Sequence, residues 1–286
     1  MKRFFAALTA GALSSHCARQ VLVKQGHNRR WDRKNYHDAT VNLRGGVQTA
    51  LATSLGLLVS AKTLANSSAS SVVLGAAAAT TAAGVCGYID DMDDTRNDYQ
   101  KVSKGFHGHL GALKEGRVTT GLLKIVGIGA SAAVVSFSIA KANRDLTPLG
   151  RLVRGTLSTG LIAGSANLAN LFDLRPGRMQ KVVLASALPL ALRQKIDGSD
   201  IVAAIITGTA ATGMKDDLQE ITMNGDTGAN ALGAGVGVAL TGLRIPAQIC
   251  ALVAIGGLTL ASEKISFTKV IEQTPLLKWA DGLGRR

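Results

Sequence analysis

Long apolar runs constrain this chain more than any other feature of its sequence. Roughly 20 consecutive apolar residues are enough for a helix to cross the hydrocarbon core of a membrane. Seven such runs are clear, at residues 47–65, 71–89, 118–140, 155–172, 199–214, 228–243 and 246–262. Two weaker runs, at 4–23 and 179–192, contain Arg19 and Pro189 respectively. The sequence therefore predicts an all-α fold, a polytopic transmembrane helix bundle of about nine spans, with a range of eight to ten.

The composition agrees with helices packed in lipid. Charged residues make up 18% of the chain, whereas soluble domains carry about 25%. The 33 glycines would let helix backbones approach closely. Cys17, Cys86 and Cys250 lie in apolar runs without metal-ligand spacing, and we interpret them as buried thiols. We expect one integral membrane domain over residues 1–286, with residues 263–286 either lying on the membrane surface or docking on the loops of the site.

The distribution of positive charge predicts the topology. The net charge is +13, from 32 Lys and Arg against 19 Asp and Glu. With nine spans and the N-terminus outside, the loops on one side hold 20 of these cations and the opposite loops hold 9. The positive-inside rule places the 20 in the cytoplasm. Lys2 and Arg3 also suit a cleaved signal peptide, but cleavage would leave the basic segment 24–46 outside, so we expect retention and a multi-pass protein of the cytoplasmic membrane.

Aspartates mark the predicted cytoplasmic ends of the spans. A run from Asp90 to Asp94 follows the third span, Asp173 follows the fifth, and Asp216, Asp217 and Asp226 follow the seventh. Odd-numbered spans end on the same side of the membrane, so these three clusters are expected to converge. A single acidic run is equally well explained as solvated charge. Three runs at one mouth of the bundle favour a site on the cytoplasmic face.

The chemistry expected of this site is cation and phosphate binding. Asp90 and Asp94 would share one face of a continuing helix, where like charges repel unless a cation joins them. Mg²⁺ is favoured, with Mn²⁺ as an alternative, because it binds one or two carboxylates together with substrate phosphates. Lys101 and Lys104 follow the first cluster and suit phosphoryl chemistry, although positive-inside bias alone accounts for many such cations. His107 and His109 are interpreted as capping or phosphate-contacting residues rather than metal ligands.

Three motifs in this order resemble a known family. They are Gly87-Tyr88-Ile89-Asp90-Asp91, Asn167-Leu168-Ala169-Asn170-Leu171-Phe172-Asp173 and Asn224-Gly225-Asp226-Thr227-Gly228. They are similar to motifs of the polyprenyl-phosphate N-acetylhexosamine-1-phosphate transferase superfamily (glycosyltransferase family 4). That superfamily includes the phospho-N-acetylmuramoyl-pentapeptide transferases and the UDP-GlcNAc:undecaprenyl-phosphate GlcNAc-1-phosphate transferases. The resemblance extends from about Asn35 to the last predicted span.

The resemblance implies an enzyme, a Mg²⁺-dependent phosphoglycosyl transferase. Such an enzyme moves a sugar 1-phosphate from a UDP-sugar to a membrane polyprenyl phosphate, and it releases UMP in cell-wall (peptidoglycan) or glycan synthesis. Carried over by motif, the catalytic residues are Asp90, Asp91 and Asp173, the metal ligands are Asp91 and Asp226, and the nucleotide- or phosphate-binding residues are Asn167, Asn170, Lys101 and Lys104. The implied partners are the UDP-sugar, the polyprenyl phosphate and the membrane, with no nucleic acid. Assembly as a homodimer is a further possibility.

Two departures from the family pattern keep alternatives open. Pro176 stands where the family usually has a second Asp, and all five histidines precede residue 110, whereas many members carry a His-rich motif in a late loop. A catalytically degenerate scaffold is therefore one alternative. A transporter or lipid carrier is another, but Arg19, Lys62 and Lys124, the charges placed within spans, include no acid for ion coupling.

Overall fold

The fold is a bundle of helices with one small hairpin. A computed structural model describes residues 1–64, 67, 69–93, 120–142, 145–193 and 197–285. Eleven α-helices occur in these ranges: α1 Lys2–Lys24, α2 Arg44–Thr63, α3 Ala69–Asp91, α4 Thr120–Ala142, α5 Pro148–Phe172, α6 Arg178–Ala191, α7 Ser199–Leu218, α8 Gly225–Leu240, α9 Ile245–Ser262, α10 Phe267–Gln273 and α11 Pro275–Gly282. The prediction of an all-α fold is confirmed. Asp94, Lys101, Lys104, His107 and His109 lie outside the described residues.

Each predicted apolar run coincides with one helix, from α1 to α9. The largest difference is at α5, which begins at Pro148 rather than near residue 155. The side chain of Thr147 caps this helix by accepting a hydrogen bond from the N–H of Gly150 at 3.1 Å, and Pro148 occupies the first turn. The sequence placed the start too late because Arg151 and Arg154 interrupt the apolar pattern without interrupting the helix.

Among the described residues, three helices are long and apolar enough to span a membrane. They are Ala69–Asp91, Thr120–Lys141 and Ile245–Ser262. Only 11% of the apolar window of α9 is buried in the protein, and Val253 and Leu260 are 68% and 70% exposed. A continuous apolar face of this kind suits lipid rather than water. The helices α6 and α8, with 14 and 16 residues, extend only about 21 and 24 Å, less than the roughly 30 Å hydrocarbon core.

Helix α8 forms the centre of the bundle and packs chiefly against α3 and α5. It is built mainly of Gly, Ala and Val, and nearly all its residues are buried. A Cβ at Gly233 would overlap the carbonyl oxygen of Ser165, so glycine is what lets α5 and α8 touch through their backbones. The cysteine interpretation is wrong for two of the three thiols, because Cys17 and Cys250 are exposed on outer helix faces, while Cys86 is partly buried.

A short antiparallel hairpin covers the end of the bundle that carries the aspartates. Its strands are β1 Asp32–Lys34 and β2 Thr40–Asn42. The N–H of Asn42 donates to the carbonyl of Ile221 at 3.3 Å, and the N–H of Met223 donates to the carbonyl of Asn42 at 3.1 Å. These bonds fix the hairpin to the connection between α7 and α8.

The C-terminal helices α10 and α11 dock beside the same end. Asp281 accepts hydrogen bonds from Arg178 at 2.8 Å and from Arg285 at 2.7 and 2.8 Å. This ion pair holds the segment against the start of α6. Leu276 and Trp279, on the other side of α11, are 71% and 64% exposed. The segment thus contacts the loops while presenting apolar side chains outward.

Candidate active site

The acidic clusters lie together at one end of the bundle. Helices α3, α5 and α7 end there, at Asp91, Phe172 and Leu218, and α8 begins there at Gly225. Backbone and side-chain contacts join these termini. The site is therefore assembled from helix ends that are far apart in sequence.

Asp91 caps the N-terminus of α8. Its Oδ1 accepts from the N–H of Asp226 at 3.0 Å, and its Oδ2 accepts from the N–H and the hydroxyl of Thr227 at 2.9 and 2.6 Å. The first N–H groups of a helix lack partners within the helix and carry partial positive charge, so a carboxylate there is stabilising. Arg33 of the hairpin donates to the backbone carbonyl of Asp91. The contacts of Asp91 thus hold α3, α8 and the hairpin in register.

Lys124 joins Asp90 to Asp226. Its ammonium nitrogen lies 2.7 Å from Oδ2 of Asp90 and 2.7 Å from Oδ2 of Asp226. The three side chains are 16%, 3% and 14% exposed respectively, so all are largely withdrawn from water. Burial and the neighbouring Asp90 raise the pKa of Asp226 to about 7, so the cluster approaches a net charge of −1 only above neutral pH. Buried charges are costly unless they are paired, and this arrangement keeps an attraction for further positive charge.

Glycines bring α2 and α3 against the start of α8. A Cβ at Gly87 would overlap the carbonyl oxygen of Asp226, and a Cβ at Gly46 would overlap that of Asn224. Thr49 also donates its hydroxyl to Oδ1 of Asn224 at 2.9 Å. The backbone that carries Asp226 is therefore held on two sides without room for side chains between the helices.

Asp173 and Asp217 form a second acidic group on the same face. Asp217 accepts from the N–H of Gly177 at 2.8 Å, where Gly177 has a φ of 68° that favours glycine. Burial raises the pKa of Asp217, three residues beyond its predicted span, to about 7. Burial also raises the pKa of Asp173 well above its usual value, and the negative charges of Asp217, Asp91 and Asp226 add to that effect. Both effects favour the protonated form of the Asp173 carboxyl.

Two cavities adjoin these carboxylates. One of about 410 Å³ lies among α4, α5 and α9, and its lining includes Lys124, Asn167, Asn170 and Asn230. The other, of about 320 Å³, lies beneath the hairpin, and its lining includes Tyr36, Asp173, Arg175, Asp217 and Glu220. The guanidinium of Arg175 stacks on the Tyr36 ring at 3.6 Å, a cation–π contact. The site thus has room for a ligand on either side of the acidic residues.

Two residues of the site were not predicted. Asn230 is 1% exposed, lines the larger cavity, and has no hydrogen-bond partner for its Nδ2 within the described part of the chain. Lys124 was identified only as a charge inside a predicted span. Ionisable residues in such segments are commonly functional, so its position was the available signal. Nothing in the pattern around Asn230 distinguished it from other polar residues of small-residue helices.

The donor set suits a hard divalent cation. Asp90 and Asp226 point oxygens at one position, and carboxylate oxygen is a preferred ligand of Mg²⁺. Within the ranges that the structure describes, no group of three or more His, Cys, Asp or Glu is arranged to hold a metal ion. Two protein carboxylates, completed by phosphate oxygens and water, remain a common way to bind Mg²⁺. The structure pairs the side chain of Asp226 with Asp90, while Asp91 contacts the backbone of α8.

Comparison with known proteins gave no match, either to a protein-family model or to a curated protein.

Proposed function

We propose that this protein transfers a sugar 1-phosphate of the N-acetylhexosamine type from a UDP-sugar to a membrane polyprenyl phosphate, releasing UMP. The observation that carries the proposal is the convergence of Asp90 and Asp226 on one cation position beside a polar cavity. The motif resemblance supplies the reaction class. The proposed setting is the cytoplasmic face of a multi-pass membrane protein.

Asp90 and Asp226 would hold Mg²⁺, which when bound supplies charge neutralisation for a diphosphate. Lys124 has two functions in this scheme. In the protein alone it balances the two carboxylates at 2.7 Å, and with substrate bound it can donate to a phosphate oxygen in the cavity that it lines. The carboxylates and the ammonium together place both signs of charge where a phosphoryl group needs them.

Asp173 would act as a hydrogen-bond donor next to the anionic substrate. Burial raises the pKa of this carboxyl well above its usual value and so favours the protonated form, which can donate a hydrogen bond to a phosphate oxygen where a carboxylate would repel it. Asn167, Asn170 and Asn230 line the larger cavity and supply uncharged donors and acceptors for the nucleotide or the sugar.

The lipid substrate would enter between α4 and α9. Both helices are among the three that could span a membrane, and both line the larger cavity. Their outer faces expose apolar side chains such as Val134 and Val253. A polyprenyl chain can lie against these faces while its phosphate reaches Lys124.

The decisive experiment is UMP release by the purified protein. We expect release from UDP-GlcNAc or UDP-MurNAc-pentapeptide only with polyprenyl phosphate and Mg²⁺ present. Asp226→Asn should reduce it at least about 100-fold, because it removes one of two charged ligands. Asp216→Asn is the matched control: Asp216 lies at the same end, but it pairs with Arg19 at 2.6 Å, so activity should persist.

Other outcomes would identify the alternatives. Mg²⁺-dependent UMP binding without product from either donor would indicate a degenerate scaffold. Absence of both binding and release would reject the transferase. Polyprenyl phosphate movement across liposomes without UDP-sugar would instead indicate a lipid carrier.

A further inference from the structure

Helix α11 carries an apolar side that the described part of the chain leaves uncovered. Leu276 and Trp279 are three residues apart and so share this side, and Leu283, directly after the helix, continues it. All three side chains are exposed. Asp281 lies on the opposite side of the helix, and its side chain is only 10% exposed. The helix therefore docks through one side and presents large apolar groups on the other.

The segment 263–285 runs across the ends of three helices. It begins where α9 ends, at Ser262. The ring of Phe267 stacks on the ring of Phe172, the last residue of α5, with centroids 5.0 Å apart. Nε of Arg285 donates to the carbonyl of Pro176, just before α6, at 2.8 Å. The segment thus stays at the level of the helix termini.

The position of α9 indicates what the apolar side of α11 meets. Of the three helices that could span a membrane, α9 has the least protein cover, so its side chains suit lipid. If α9 crosses the membrane, Ser262 lies at one membrane surface. The connection of four residues can then place the start of α10 no more than about 18 Å away. Thr274 alone separates α10 from α11, so the whole segment is held close to that surface.

The length and composition of α11 suit the membrane–water interface. Its eight residues extend only about 12 Å, so it can lie on a membrane but cannot span one. Tryptophan concentrates at the level of the lipid head groups, and Trp279 is one of only two tryptophans in the chain. A second protein could also cover an apolar helix side. The direct connection to α9 favours lipid instead.

We propose that α11 lies in the plane of the membrane interface, with Leu276, Trp279 and Leu283 inserted among the lipid acyl chains. The Arg178–Asp281 ion pair on its other side then joins the membrane surface to the start of α6. Docking on the loops and contact with the membrane are therefore both properties of this segment. The proposal needs α9 to span a membrane, but it does not depend on the transferase reaction, so a lack of UMP release would leave it standing.

The test is quenching of Trp279 fluorescence by brominated lipid, with the purified full-length protein in phosphatidylcholine nanodiscs. Trp31→Phe leaves Trp279 as the only tryptophan. Bromine near the head-group end of the acyl chain should quench at least about half of the emission, and bromine near the methyl end less, because an interfacial helix enters only about 5–10 Å. Aqueous iodide should quench weakly. Iodide quenching without lipid quenching would place Trp279 in water, and protection from both would place it against protein. Either result overturns the proposal, as does stronger quenching from the methyl end.

Leu276→Ser and Leu149→Ser form a matched pair in the Trp31→Phe protein. The two leucines are 71% and 69% exposed, but Leu149 lies at the start of α5, about 35 Å along the helix from Phe172. Leu276→Ser should reduce quenching by the head-group-end bromine about twofold, because insertion depends on the buried apolar area. Leu149→Ser should leave this quenching unchanged. Equal effects of the two substitutions would overturn the assignment to α11.

Photolabelling tests the unmodified protein and does not depend on the folding of a variant. Phosphatidylcholine with a diazirine in the upper part of its acyl chain should label residues 275–283, as located by mass spectrometry. Label on α9 provides the reference within the same sample. Absence of label from residues 275–283 would refute the proposal.

Discussion

Replacing Lys124 by Met tests the central cluster most directly. The ammonium separates two carboxylate oxygens that each lie 2.7 Å from it, so these oxygens are at most about 5.4 Å apart. At an effective dielectric constant of about 20, two unit charges at that distance repel by about 3 kcal/mol. Lys124→Met exposes this repulsion and removes the compensating charge. Proton uptake by Asp226, whose pKa burial raises to about 7, relieves part of this repulsion, so we expect a loss of at most about 3 kcal/mol at pH 8, equivalent to a fall in melting temperature of up to roughly 6 °C.

Mg²⁺ should reverse much of this loss in the variant. With the ammonium gone, Asp90 and Asp226 present two oxygens to a divalent cation. Mg²⁺ at about 10 mM, an excess over a weak site, should therefore raise the melting temperature of Lys124→Met more than that of the unmodified protein. Lys141→Met, an exposed change at the far end of the same helix, should neither lower the melting temperature nor make it depend on Mg²⁺. If Lys124→Met has the melting temperature of the unmodified protein and Mg²⁺ does not raise it, the two carboxylates do not share a cation position.

Three further predictions concern packing, protonation and docking. Gly87→Ala should lower the free energy of unfolding by about 1–3 kcal/mol and disturb the site, because its Cβ would overlap the Asp226 carbonyl. Gly129→Ala, whose Cβ would enter open space, should be neutral or slightly stabilising. Equal effects of the two substitutions in chemical denaturation would show that the close approach at Gly87 is absent. Asp217→Asn should gain stability relative to the unmodified protein as pH rises from about 4 to 7. The reason is that burial raises the pKa of Asp217 to about 7, so the folded state binds more protons than the unfolded chain in that window and unfolds more easily as pH rises; a melting-temperature difference that stays constant with pH would contradict this. Burial opposes ionisation of Asp281, but hydrogen bonds from Arg178 and Arg285 lower its pKa, so the ion pair contributes above about pH 4 and is lost below it. Asp281→Ala should leave Arg178 buried without that partner and release residues 263–285 to limited proteolysis at neutral pH, whereas Glu272→Ala, whose carboxylate is 55% exposed, should change the cleavage rate little.

The positions of the helices followed from hydrophobicity, because an apolar run of this length has few other structures available to it. The start of α5 differed, since a capping threonine and a proline set that boundary locally while Arg151 and Arg154 hid it from an apolar pattern. The aspartates could be placed at helix ends from topology alone.

The functions of individual aspartates could not be predicted in the same way. Asp91 and Thr227 are 136 residues apart, and Lys124 meets Asp226 from another helix. Such contacts depend on how the helices pack, which here depends on close approaches at Gly46 and Gly87. Motif comparison treats Asp90 and Asp91 as one pair, whereas packing turns one toward a cation position and the other toward a helix terminus.

The bridge made by Lys124 has a consequence for biogenesis. A chain emerges from the ribosome in order, so α3 and α4 are synthesised well before α8 exists. During that interval Asp90 has a counter-charge available once α4 has emerged, because Lys124 lies on the next described helix and reaches Asp90 at 2.7 Å in the folded protein. Asp226 arrives about 100 residues after Lys124 and joins a pair that is already neutral. The same lysine that serves the finished site is thus positioned to accompany Asp90 while the bundle is still being made.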